Sequence, residues 1–186
     1  MVGSARSWSA TRRAAQSVSR AVPLAAPEGL PDLLAVEAGA GKTAGVVLPW
    51  LWHRRLHPDT AVRAATPHWL VFCLPLRVLV EQVEADVRGW LDRLGLTDTV
   101  PLHVAMGGRE DARDHWRLHP ERDAIVLVTV DTLVSRALNR GYGASRFSWP
   151  IDYGLFNNGT HWIYDEVQLL GSALATGRQL QACVAS

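Results

Sequence analysis

Residues 39–43 have the composition of a phosphate-binding loop. The segment Gly39-Ala40-Gly41-Lys42-Thr43 follows an apolar run and opens a helix-like segment, and Lys42 is the only lysine in the chain. Glycines let the backbone approach phosphates closely, and successive N–H groups point inward to cradle them. Lys42 then reaches the β- and γ-phosphates, and the Thr43 hydroxyl binds Mg²⁺. The segment therefore predicts an ATP site formed by Gly39, Ala40, Gly41, Lys42 and Thr43.

A pair of acids at the end of a later apolar run supplies a second candidate site. The run Trp162–Tyr164 leads directly into Asp165 and Glu166. Ligands of open α/β sheets bind at the carboxyl ends of strands, so both acids are expected beside the nucleotide. Asp165 is predicted to bind Mg²⁺, and Glu166 to orient and polarise the attacking water.

Apolar, strand-like runs alternate with helix-like segments from residue 32 onward. Continuous apolar runs are typical of strands buried on both faces of a parallel sheet. The alternation predicts a three-layer α/β domain with right-handed crossovers and a mainly parallel sheet. The expected strands are Leu33–Ala38, His68–Leu74, Val100–Met106, Ala124–Val130 and His161–Asp165.

Helices are expected between these strands, and Pro49 is expected to end or kink the first of them. Residues 140–159, rich in Gly, Asn and aromatic side chains, are expected to form a long loop. The expected helices are Lys42–Leu56, Arg77–Leu94, Arg109–Arg117, Asp131–Asn139 and Ser172–Val184.

Three further segments follow expected strands: residues 74–77, 107–108 and 129–132. Each could bind phosphate oxygens at a helix N-terminus, or could be an ordinary turn or helix cap. Arginines are interleaved with aromatic residues farther along the chain, which suits a single nucleic-acid strand but equally a solvated loop with aromatic anchors. These residues are Arg136, Arg140, Tyr142, Arg146, Phe147 and Trp149.

The overall composition limits the classes of protein. A net charge of +1 leaves no general basic excess, so any nucleic-acid site must be local. No apolar run approaches the length of a membrane helix, and no membrane partner is expected. Cys73 and Cys183 are far apart, which favours reduced core residues in a cytoplasmic protein. Residues 1–28 are expected to be a poorly ordered segment rather than a transit peptide, and residues 29–186 one domain.

The order of these segments resembles the first RecA-like domain of superfamily-two (DEAD/DEAH-like) helicases, and most of all the CRISPR-associated helicase of type I interference systems. Three stretches carry the resemblance: LPLRVLVEQ at 74–82, SRALNRGYGASRFSWPIDYGL at 135–155 and DEVQLLGSALATGRQLQ at 165–181. The resemblance covers residues 29–183. It implies a P-loop nucleoside-triphosphatase fold, ATP with Mg²⁺, and single-stranded DNA as a partner, with RNA as the alternative. The other implied partners are a second RecA-like domain and the CRISPR effector complex.

The resemblance also implies roles for individual residues. Gln168 joins Lys42, Asp165 and Glu166 in the catalytic set, with Thr43 and Asp165 as the Mg²⁺ ligands. The residues implied to contact nucleic acid are Pro75, Arg77, Gln82, Gly107, Gly108, Thr129, Asp131 and Arg136.

The sequence departs from the family pattern at several positions. Val36 stands in place of the first loop glycine, Glu37-Ala38 in place of Pro-Thr, and Val128 in place of a glycine. A negative charge at Glu37 would weaken triphosphate binding unless its side chain points away. The chain is expected to be truncated after the Asp-Glu segment and to have little or no activity by itself. The alternatives are another superfamily-two helicase or restriction-type translocase, and a non-catalytic remnant.

Overall fold

The computed structural model describes residues 41–107, 109–110, 115–141 and 145–184, and the chain divides into two compact units. The smaller unit comprises residues 1–67 and 89–96, and the larger comprises residues 68–88 and 97–186. The predicted strand Leu33–Ala38 and the predicted segment 1–28 lie outside the described residues. Within the described residues, no helix is both long enough and apolar enough to cross a membrane.

The described part of the larger unit has a five-stranded sheet. Its strands are β1 (Trp69–Leu74), β2 (Leu102–Met106), β3 (Arg109–Glu110), β4 (Ala124–Thr129) and β5 (Thr160–Tyr164). Their order across the sheet is β3-β2-β4-β1-β5, and only the two-residue β3 is antiparallel to its neighbour. The expected α/β fold with a mainly parallel sheet is therefore confirmed for the described part of the chain.

Parallel strands β1 and β4 are buried along nearly their whole length. Side chains alternate between the two faces of a strand. Trp69, Val71 and Cys73 join a core cluster with Trp116 and Phe156 on one face, and the alternate residues of β1 are also buried. The uninterrupted apolar runs therefore reflect a sheet covered on both faces.

The helices partly confirm the sequence expectations. They are α1 (Lys42–Leu51), α2 (Thr60–Ala65), α3 (Arg77–Leu94), α4 (Val130–Ala137), α5 (Trp149–Asn157) and α6 (Ala173–Val184), with 3₁₀ turns at His115–Leu118 and Val167–Leu169. The ends of α3 agree with the prediction, and those of α4 and α6 differ by no more than two residues.

Helical structure covers the predicted range Lys42–Leu56: α1 continues through Pro49 to Leu51, and the backbone widens into a π-helical turn at Trp52–Leu56. Pro49 therefore does not end the helix. Two other expectations about helices and loops are wrong. The predicted helix Arg109–Arg117 is replaced by β3 and a 3₁₀ turn, with residues 111–114 undescribed. The expected long loop at 140–159 contains α5, which carries a proline in its first turn, where the missing N–H costs nothing.

In the described part of the smaller unit, side chains of α1 and of the π-helical turn donate hydrogen bonds to backbone carbonyls of residues 63–67. The Trp50 indole donates to the Pro67 carbonyl at 2.9 Å. The Arg54 guanidinium donates to the carbonyls of Arg63 and Thr66 at 2.8 and 3.0 Å. These bonds hold α2 against the C-terminal part of α1 and the π-helical turn.

Replacing Gly159 with alanine should destabilise the larger unit. Gly159 has φ +62°, and a Cβ there would lie 2.3 Å from the His68 ring. We expect Gly159→Ala to lower the free energy of unfolding by about 1–3 kcal/mol, measured as a lower urea midpoint at unchanged m-value.

Gly154→Ala is the matched control, because it lies within α5 with no atom within 4 Å of the added Cβ. It should raise the free energy of unfolding by about 0.5–1 kcal/mol. Equal midpoints for the two variants would contradict the close packing at Gly159.

Candidate functional site

Helix α1 follows the segment that the sequence predicts to bind phosphate. Gly41 has φ 78° and ψ 36°, a left-handed conformation that favours glycine, and the helix begins at Lys42. The Gly45 N–H donates to the Gly41 carbonyl at 2.9 Å, closing the first turn. The first-turn N–H groups of a helix have no acceptor within the helix itself, so they can bind an anion. Gly39 and Ala40 lie outside the described residues.

Four parallel strands bring the other predicted segments to one edge of the sheet in the larger unit. We call this the carboxyl edge: the residues that follow Leu74, Met106, Thr129 and Tyr164. The strands are in register, with Leu74 beside Thr129 and Tyr164 beside Cys73. The edge therefore collects Pro75, Arg77, Gly107, Thr129, Asp131, Asp165, Glu166 and Gln168.

A hydrogen bond joins the segments that follow β1 and β2. Arg77, exposed in the first turn of α3, donates from its guanidinium to the Gly107 carbonyl at 2.5 Å. A Cβ on Gly107 would lie 3.4 Å from the same guanidinium, at van der Waals contact, so Arg77 packs closely beside this turn. Gln82 is exposed farther along α3, and Gly108 lies outside the described residues. Arg77 thus sits between two of the segments predicted to contact nucleic acid.

The segment that follows β4 forms the start of α4. The hydroxyls of Thr129 and Thr132 lie 3.0 Å apart and share a hydrogen bond. Asp131 is exposed in the first helical turn, where a negative charge is favoured by the helix dipole. Thr129 is the N-cap residue of α4, but its hydroxyl bonds to Thr132 and not to a first-turn N–H.

The two acids that follow β5 are held by local hydrogen bonds. The Asp165 N–H donates to the Cys73 carbonyl at 3.0 Å, which extends the pairing of β5 with β1. The Asp165 carboxylate accepts from the Glu166 N–H at 2.9 Å, and the Glu166 carboxylate accepts from the Gln168 side-chain amide at 2.5 Å. Glu166 has φ 48° and ψ 51°, a left-handed conformation that is uncommon for a residue other than glycine.

Arg136 lies in the core and not at the carboxyl edge. Its side chain is 1% exposed, and its guanidinium lies over the rings of Trp116 and Phe156. One of its nitrogens is 3.8 Å from the Asp152 carboxylate. The prediction that Arg136 contacts nucleic acid is therefore wrong in this structure, because a buried guanidinium cannot meet a strand at the surface.

A buried ion pair in the larger unit was not foreseen from the sequence. The Arg117 guanidinium donates to both Asp152 oxygens, at 2.6 and 3.0 Å, and Asp152 is fully buried. The pair joins α5 to the 3₁₀ turn His115–Leu118. The sequence signal that could have placed Asp152 is Pro150, which is typical of a first helical turn.

Tyr164, directly before the acids, makes a tight contact with α6. A Cβ on Gly177 would lie 2.2 Å from the Tyr164 hydroxyl oxygen. Burial is the main cause, and the nearby Cys73 the second, that raises the pKa of Tyr164 to about 12. That hydroxyl has no hydrogen-bond partner among the described residues. Gly177 therefore lets α6 pack against the end of the strand that carries Asp165.

No protein-family model matches the chain, and no curated protein matches it.

The contact between Tyr164 and Gly177 can be tested by a double-mutant cycle. Gly177→Ala should lower the free energy of unfolding, because overpacking costs about 1–3 kcal/mol and the alanine gain in a helix is only about 1 kcal/mol. Tyr164→Phe alone should leave the free energy of unfolding nearly unchanged, since the hydroxyl has no hydrogen-bond partner in the described part of the chain. The double variant should unfold at higher urea than Gly177→Ala, because the clashing oxygen is gone; additive effects would argue against the contact.

The Cys73 thiol should be unreactive in the folded protein. Burial, with the Asp131 charge as the second cause, raises the pKa of Cys73 to about 12. In a Cys183→Ser variant, Cys73 is the only thiol. At pH 8 we expect its reaction with a disulfide reagent to be about a thousandfold slower than in denaturant, because only thiolate reacts. Fast labelling of the native protein would contradict the burial.

Proposed function

We propose that this chain is the ATP-binding, first RecA-like domain of a superfamily-two helicase. On the sequence resemblance, we assign the phosphates of ATP to the loop that precedes α1, and Mg²⁺ and the attacking water to the acids that follow β5. Hydrolysis would drive movement along a nucleic-acid strand held at the carboxyl edge. The class of reaction is phosphoryl transfer to water.

The observation that carries the proposal is the composition of the carboxyl edge. Segments separated by up to 90 residues in the sequence follow four neighbouring parallel strands at the same edge. This is the edge at which open α/β sheets bind their ligands. A shared ligand site explains why an arginine, a glycine turn, a Thr-x-Asp segment and an Asp-Glu pair all lie at this edge. Unrelated turns would not explain this combination.

The nucleotide site is proposed from the chemistry of its donors. First-turn amides of α1 and the Lys42 ammonium suit phosphate oxygens. The Thr43 hydroxyl and the Asp165 carboxylate are hard oxygen ligands of the kind that Mg²⁺ prefers. Glu166 would act on the attacking water, and Gln168, bonded to Glu166 at 2.5 Å, would hold that carboxylate in place.

The nucleic-acid site is proposed from the rest of the edge. Arg77 supplies a positive charge, and the Gly107 turn and the start of α4 at Thr129 offer backbone and hydroxyl groups. Such contacts with phosphate position a strand without reading its sequence. Pro75, Gln82, Gly108 and Asp131 complete the proposed set, single-stranded DNA is the proposed partner, and RNA is the alternative.

The particular helicase is proposed from the sequence resemblance. The stretches 135–155 and 165–181 resemble the CRISPR-associated helicase of type I interference systems. The corresponding partners would be a second RecA-like domain and the CRISPR effector complex, in the cytoplasm. A restriction-type translocase or another superfamily-two helicase would use the same edge.

A non-catalytic remnant is the second candidate. Glu37 and Val128 depart from the family pattern, and both acids that follow β5 already accept hydrogen bonds from within their own turn. Such a protein would keep the fold and bind a partner without using ATP.

Binding of a fluorescent ATP analogue in the presence of Mg²⁺ separates the two candidates. We expect wild type to bind, and Lys42→Ala to bind at least tenfold more weakly, because the only side-chain cation of the loop is lost. Arg178→Ala is the matched control, since it removes an exposed cation from α6 and should leave binding unchanged.

Binding is the better readout because the resemblance implies that hydrolysis needs an arginine from a second domain, whose absence costs about 10³-fold or more. Where turnover is measurable, Glu166→Gln should abolish it and retain binding. Equal affinity of wild type and Lys42→Ala would refute the nucleotide site. A folded wild type that binds no analogue would favour the remnant.

A further inference from the structure

A tight turn at residues 145–149 leads into α5, and its last residue, Trp149, is the first residue of that helix. The Ser148 N–H and the Ser148 hydroxyl both donate to the Ser145 carbonyl, at 3.0 and 2.8 Å. Helix α5 begins at Trp149 with a proline in its first turn, which restricts the backbone further. Residues 145–149 are called the 145–149 turn below. The two hydrogen bonds to the Ser145 carbonyl hold its backbone in place.

The 145–149 turn presents an aromatic ring to solvent. Phe147 is 93% exposed, which makes it the most exposed large hydrophobic side chain among the described residues. Its neighbour Arg146 is also exposed, and its guanidinium lies 5.9 Å from the centre of the Trp149 ring. The turn thus exposes an aromatic ring, Phe147, next in sequence to the exposed cation of Arg146.

The stretch of chain that contains the 145–149 turn carries a positive charge. Residues 132–151 contain three arginines and no acid. The nearest acid along the chain, Asp152, is fully buried and bonded to Arg117, so it does not offset Arg146 at the surface. Of these three arginines, Arg136 is buried, and Arg140 and Arg146 are exposed. The surface charge of this stretch therefore complements a polyanion.

We propose that the 145–149 turn is a contact site for single-stranded nucleic acid, with a base stacked on Phe147 and a phosphate paired with Arg146. Exposed aromatics beside arginines bind single strands without sequence preference, because every base has a flat face to stack. An acidic peptide would satisfy Arg146 but gain little from a fully exposed ring. This site lies outside the strand-contacting motifs that the resemblance implies, and it decides between the two interpretations that the sequence left open for Arg146 and Phe147. It rests on the proposed function for the identity of the partner.

Binding of a fluorescein-labelled oligo(dT) to the full chain tests the site. Phe147→Ala should raise the dissociation constant about 5- to 150-fold, the range measured for losing one stacked base, and Phe147→Trp should restore binding. Arg146→Gln should lower the slope of log K against log salt concentration by about 0.7, the loss of one phosphate contact on a single strand. Phe147→Ala should leave that slope unchanged.

Two control variants remove similar groups elsewhere. Leu118→Ala truncates a side chain that is 70% exposed, and Arg178→Gln removes an exposed cation from α6. Both should bind oligo(dT) as wild type does. If Phe147→Ala does too, the 145–149 turn is not the site.

Two further measurements keep this proposal separate from the proposed function. ATP-analogue binding by Phe147→Ala should equal that of wild type, so a failure at the turn leaves the nucleotide site standing. A wild type that binds the ATP analogue but not oligo(dT) would overturn the nucleic-acid contact and leave the nucleotide site. Poly-glutamate that binds wild type and is lost in Phe147→Ala would assign the turn to an acidic peptide and overturn the proposal.

Discussion

The parallel pairing of β1 with both β4 and β5 is the constraint on which the candidate site depends. β1 is buried along its whole length, and its register with its neighbours brings Leu74, Thr129 and Tyr164 to nearly the same level. Because side chains alternate, a one-residue slip would exchange the two faces of a strand. The same register therefore fixes both the core and the order of groups at the carboxyl edge.

The buried ion pair between Arg117 and Asp152 connects α5 to the 3₁₀ turn His115–Leu118. Desolvating both charges is costly, and a bidentate pair offsets this only when its geometry is good. Here Arg117 also stacks over Trp116 at 4.5 Å, so its guanidinium is held from two sides. Removing one partner would leave a buried charge. The pair thus ties α5, and with it the turn that precedes α5, to the rest of the larger unit.

Close packing and local strain meet at the end of β5. Tyr164 packs against Gly177, and two residues later Glu166 adopts a left-handed conformation. Such a conformation for a non-glycine residue costs about 1–3 kcal/mol and persists only where its surroundings impose it. The hydrogen bond from Asp165 to Cys73 on one side and the 3₁₀ turn on the other supply that constraint.

The sequence alone determined the parallel sheet, because its apolar runs predicted β1, β2, β4 and β5 to within two residues. The runs are continuous in β1 and β4, which are buried on both faces. It also predicted the helix that begins after Gly41, since glycine alone tolerates that left-handed position easily. It did not predict α5, because the stretch 140–159 is rich in Gly, Asn and aromatic residues and resembles a loop. The helix is held by contacts with α4 and by the buried ion pair. Nor could it place Arg136: whether an arginine faces solvent or the core depends on which residues the fold brings beside it, and only the tertiary structure put Asp152, Trp116 and Phe156 there.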